Sequence, residues 1–163
     1  MTSNPLDIIM GFLVGIDIPA RYGEVAADAF LPGVRVDNGE LVVDRERLQW
    51  PGDLLHEAGH IAFTTAARRA AMNGALDSAQ AAPHGDEVAA IAWSWAALVH
   101  LNLPAELLFH DGGYRGRAAG LRLSFEMGVY PGAFALAEAG MTRVGDPAGA
   151  VPHYPHMQRW LRC

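Results

Sequence analysis

The chain has 163 residues, half of them apolar and only 18% charged, enough to bury a core of its own and far from the composition of a disordered segment. A formal charge of -6 with no extended basic run excludes a protein that grips a phosphate backbone directly, so no nucleic-acid partner is expected. All its cations are Arg and none is Lys, which fits a G+C-rich bacterial genome and says nothing about mechanism.

The single cysteine, Cys163, is the last residue and can close no intramolecular disulfide, so the chain suits a reducing cytoplasm. The apolar run from Leu6 to Ile18 carries Asp7 and Asp17 and is too short to cross a bilayer, so no membrane partner is expected. It reads as a core helix starting at Asn4-Pro5, a cap followed by the proline best tolerated in a first turn, and ending near Gly15. A short helix is expected from Tyr22 to Phe30, closed by Pro32-Gly33.

From Val34 to Val43 two β-branched runs flank Asn38-Gly39, a strong signal for a tight hairpin. A long helix is then expected from Asp53, capped by Asp53 or Gly52, to about Ala71. Leu54, Leu55, Ala58, Ile61, Ala62 and Thr65 recur along it at three- and four-residue spacing. Leu76 to His84 reads as a loop and Gly85 to Asn102 as a second long helix, buried on most sides. Shorter helices are expected up to Phe109, from Arg117 to Met127, from Pro131 to Ala139 and from Pro155 to Arg162. The whole reads as one α+β domain over residues 1–163, mainly α, with a small sheet.

The chemistry lies in His56-Glu57-Ala58-Gly59-His60. On a helix, side chains four residues apart stand one above the other, so two imidazoles reach a single ion. Glu57, turned about 100° from His56, sits beside a water on that ion instead of ligating it. This is the arrangement of a catalytic zinc, Zn2+, which takes three protein ligands and keeps one position open. Glu87, near the start of the second long helix, is the leading third ligand. His84 and Asp86 compete with it, as do the more distant His110, His153 and His156, and a carboxylate there also complements the helix dipole. Gly59, costly in a helix interior, suggests close approach of another backbone or a ligand.

Together, Leu54-Leu55-His56-Glu57-Ala58-Gly59-His60 and Gly85-Asp86-Glu87-Val88-Ala89-Ala90 resemble the zincin-type metallopeptidases with a downstream glutamate ligand, and most of all the minimal ImmA/IrrE-like bacterial metallopeptidase domain. The likeness spans Val34 to Pro104, with Leu101-Asn102-Leu103-Pro104 standing where that family's Leu-x-x-Pro-like stretch falls. Val88, Ala89 and Ala90 replace the polar residues usual after its glutamate. The resemblance implies a zincin-like fold in which His56, His60 and Glu87 hold zinc, Glu57 is the general base, and a protein or peptide is hydrolysed.

Such a reaction also needs a donor for the oxyanion. Candidates are Tyr114, His110 and Arg115, around the Gly-rich turn from His110 to Gly116, together with His153 and His156; Tyr114 is carried forward. In the resembled fold a strand edge pairs with the substrate backbone, a role open to the Val34–Val43 hairpin. Two other functions fit the same residues. One is another zinc-dependent amide hydrolase. The other is a non-catalytic zincin-fold regulatory or interaction module that contacts its partner through Trp93, Trp95 or Trp160.

Overall fold

A computed structural model describes residues 4–73, 84–145 and 148–163. Helix α1 (Pro5–Gly15) begins where the Asn4 side chain accepts the Leu6 N–H at 3.0 Å and buries Leu6, Ile9, Met10 and Leu13. Strands β1 (Ala20–Tyr22), β2 (Val34–Asp37) and β3 (Glu40–Val43) form a sheet of order β1-β3-β2. The expected hairpin is β2–β3, with Val34 opposite Val43 and Asp37 opposite Glu40 around Asn38-Gly39. Central β3 buries Leu41, Val42 and Val43 in succession.

Strand β1 replaces the start of the helix expected from Tyr22 to Phe30. The Ala20–Tyr22 backbone pairs in parallel with Leu41–Val43, the Gly23 N–H continues that pairing to the Val43 carbonyl, and the Val25 N–H goes to the Asp44 carboxylate. With those donors spent on β3 and its neighbour, no helical ladder forms there.

Helices α1 and α2 (Pro51–Phe63) lie against the sheet, and α4 (His84–His100) packs on α2 from the other side. Helix α2 starts two residues before the expected position, with Trp50 as its N-cap and Pro51 in the first turn. It also ends eight residues early. Thr64 turns extended and its hydroxyl donates to the His60 carbonyl, Arg69 Nε takes the Ile61 carbonyl and the Arg162 N–H takes that of Ala62. With its last carbonyls so capped, the chain leaves the helix and resumes as the single turn α3 (Ala66–Arg69). The loop expected from Leu76 to His84 falls largely outside the described residues.

After α4 come a 3-10 turn at Ala105–Leu107, a second at Tyr114–Gly116, and helices α5 (Ala118–Glu126) and α6 (Ala133–Glu138). The terminal helix expected from Pro155 is absent. Residues 154–158 instead run beside 141–143: the Tyr154 N–H bonds the Arg143 carbonyl, Thr142 bridges Met157 and the Gln158 N–H bonds the Met141 carbonyl. The fold is α+β and mainly helical, with a three-stranded sheet. No helix among the described residues is long and apolar enough to cross a membrane.

Candidate metal centre

Helix α2 is buried on nearly every side, from Leu54 through Ala62. Its histidines therefore do not form a solvated face: His56, Glu57 and His60 are 8%, 1% and 5% exposed. Apolar helix packing alone offers no reason to bury three such side chains in two turns.

The α2–α4 crossing supplies one. A Cβ at Gly59 would lie 2.6 Å from the Ala90 carbonyl oxygen, so the two backbones meet where α2 has no side chain. Ala58, Ala62, Ala89 and Ala90, all buried, keep the approach close along the crossing. The Ser94 hydroxyl sits between the carbonyls of Leu55, at 3.1 Å, and Ala90, at 2.7 Å, joining the helices once more. Glu87 lies one turn before Ala90 on α4, and His56 and His60 flank Gly59 on α2, so the contact that needs glycine also carries the carboxylate to the imidazoles.

There His56 Nε2 lies 3.2 Å from Glu87 Oε1, His60 Nε2 lies 3.1 Å from Glu87 Oε2, and the two imidazole nitrogens are 3.2 Å apart. Zinc–nitrogen bonds of about 2.0–2.1 Å arranged tetrahedrally put neighbouring ligand atoms roughly 3.3 Å apart, close to all three separations. Protons on the imidazoles would satisfy the carboxylate but leave the 3.2 Å nitrogen pair with no attraction between its members. A single cation between the side chains would account for all three approaches, which involve both oxygens of the carboxylate. Burial pushes the Glu87 carboxyl upward, but its hydrogen bonds to His56 and His60 and their charge outweigh that and hold its pKa far below the ordinary glutamate range. Among the described residues, His56, His60 and Glu87 are the one group placed to hold a metal ion.

The competing ligands are elsewhere. Asp86 stands outside the cluster although it precedes Glu87 on α4, and His153 and His156 lie on the stretch that runs beside 141–143. The side chain of His84 is outside the described residues. His110 Nε2 binds Asp53 Oδ1 at 2.7 Å, while the Trp50 ring stacks on the imidazole at 4.3 Å. Burial pushes the Asp53 carboxyl above its ordinary range, against the opposing pull of the His110 hydrogen bond and charge. Sequence reasoning missed this pair, because Asp53 drew attention only as a helix cap and nothing links positions 53 and 110 before the chain folds.

The Tyr114 ring stands perpendicular to that of His56, with centroids 5.7 Å apart, and Tyr114 belongs to the 3-10 turn in which it and Arg115 both have positive φ, 55° and 52°. Tyr154 is buried and donates its hydroxyl to the Ala92 carbonyl. Trp93 and Trp95 are also buried, so neither is available as an exposed contact for a partner. Compared with family models, with curated proteins and with solved structures, the chain matches none.

Proposed function

We propose that the chain is a zinc-dependent peptidase of zincin type, acting in a bacterial cytoplasm on a protein or peptide. The observation that carries this reading is the meeting of His56, His60 and Glu87 at ligand-to-ligand spacing, with Glu57 buried on the same turn of α2. A divalent ion held by those three side chains supplies Lewis acidity toward a carbonyl and makes water more acidic.

The remaining work falls to the chain's own groups. The Glu57 carboxylate takes a proton from the attacking water as the new C–O bond forms, then returns it to the amide nitrogen as the C–N bond breaks. The Tyr114 hydroxyl donates a hydrogen bond to the oxygen on which negative charge develops. The outer strands β1 and β2 offer backbone edges on which an extended peptide can lie. Another amide hydrolase would use the same groups and differ in its substrate. A binding module would need the metal and not Glu57.

The test is metal analysis of the untagged chain together with hydrolysis of a mixture of fluorogenic peptides. The expected result is about one zinc per chain and a cleavage activity that a chelator removes and Zn2+ restores. Zinc retained in Glu57→Gln with biological activity unchanged would overturn the enzyme reading.

A further inference from the structure

The Gly-rich turn from His110 to Gly116 is fastened at its root and strained at its tip. At the root, the His110 side chain is 2% exposed and bonds Asp53, in the first turn of α2, at 2.7 Å. Trp50 covers the imidazole with its ring nearly parallel, at 4°. The two glycines that follow lie against the same side chain: a Cβ at Gly112 would stand 3.0 Å from the Trp50 indole nitrogen and 3.3 Å from His110 Nδ1, and one at Gly113 would stand 3.1 Å from His110 Cε1. At the tip, Tyr114 and Arg115 occupy the left-handed region one after the other. That region crowds the Cβ of a non-glycine residue against its own backbone, and surrounding contacts must hold it there.

Asp53 and His56 are one helical turn apart, about 4.5 Å along the axis of α2. The same helix turn therefore receives the root of the 110–116 turn at Asp53 and its tip, the Tyr114 ring, at His56. We propose that the Asp53–His110 pair is a positioning device for Tyr114, anchoring the turn to the metal-ligand helix so that the tyrosine, whose ring also packs on Phe109, is aligned on His56. The inference rests on the reading of Tyr114 as oxyanion donor. Asp53 and His110 are positioning residues in it: they act through the tyrosine, and their loss lowers kcat with KM nearly unchanged.

Fluorine NMR of the full chain grown on fluorotyrosine tests the tether, with the Tyr114 signal assigned by its disappearance in Tyr114→Phe. In the wild type this signal is expected to stand apart from that of free fluorotyrosine and to shift on addition of Zn2+. In His110→Phe and in Asp53→Ala it should move to the free position and lose its response to Zn2+. Asp53→Asn still accepts a hydrogen bond from the imidazole and should keep the wild-type signal. The signals of Tyr22, Tyr130 and Tyr154 report whether the fold is intact; should His110→Phe fail to fold, Asp53→Ala decides, because it leaves the turn's own sequence unchanged.

A Tyr114 signal that stays in place in these variants, with the other three also unmoved, overturns the proposal. A wild type that takes up no Zn2+ would instead sink the hydrolase reading, and the position of the signal alone would then judge the tether.

Discussion

Glu57 and Glu87 are the same residue type in opposite situations. Glu87 is approached by both imidazole nitrogens, whereas Glu57 is buried on α2 outside the ligand triangle. Glu57→Gln is therefore expected to keep zinc and to lower peptide hydrolysis by about 100- to 10,000-fold, the usual contribution of a general base, as metal analysis and steady-state kinetics on one preparation would show. Glu87→Gln should lose most of the zinc. In the metal-free chain Glu87 also links stability to pH. Its pKa in the fold is depressed, so its contribution is fully present above the ordinary glutamate value of 4.5 and fades as pH falls below it. The stability difference between wild type and Glu87→Gln, followed by urea unfolding, should shrink as the pH falls below that value.

Between elements, the α2–α4 crossing sets the site. Helix propensity alone would favour alanine at Gly59 by about 1 kcal/mol. Against that, its methyl group would stand 2.6 Å from the Ala90 carbonyl, a backbone atom that yields only if α4 moves, and overpacking of this kind costs about 1–3 kcal/mol. The clash outweighs the propensity. Gly59→Ala should lower the urea midpoint and weaken zinc binding together, because the displacement that relieves the clash carries Glu87 away from the histidines. Ser94→Ala breaks the hydroxyl link without adding volume and should cost stability, about 1 kcal/mol, with a smaller effect on the metal. The helix boundaries obey the same logic: the apolar spacing that favours α2 continues past Phe63, but side-chain and backbone caps on its last carbonyls end it.

For the whole molecule, one ion would join two helices that are distant in sequence. A ligand that binds only the folded chain adds about 2.7 kcal/mol when present at 100 times its Kd. Removing zinc with a chelator should therefore lower Tm, and the drop should vanish in His60→Ala, which has no complete site to empty. The C-terminal segment braces both of these helices and α3: the Trp93 indole on α4 donates to the Trp160 carbonyl at 2.9 Å, the Arg162 N–H donates to the carbonyl of Ala62 on α2, and Arg69 on α3 binds the Arg162 carbonyl.

Much of this was legible in the chain before it folded. Spacing of four placed His56 and His60 on one helix face, Asn38-Gly39 marked the hairpin, and Asn4-Pro5 marked the start of α1, because helix periodicity, turn geometry and capping act over a few residues. Which residue would join the two histidines was open among Glu87, its neighbours His84 and Asp86, and the distant His110, His153 and His156; the crossing at Gly59 and Ala90 brings Glu87 to them. The parallel strand β1, the early end of α2, the extended stretch in place of a last helix and the Asp53–His110 pair were likewise decided by tertiary structure. Each depends on hydrogen-bond partners many residues away, and local propensity carries no information about such partners.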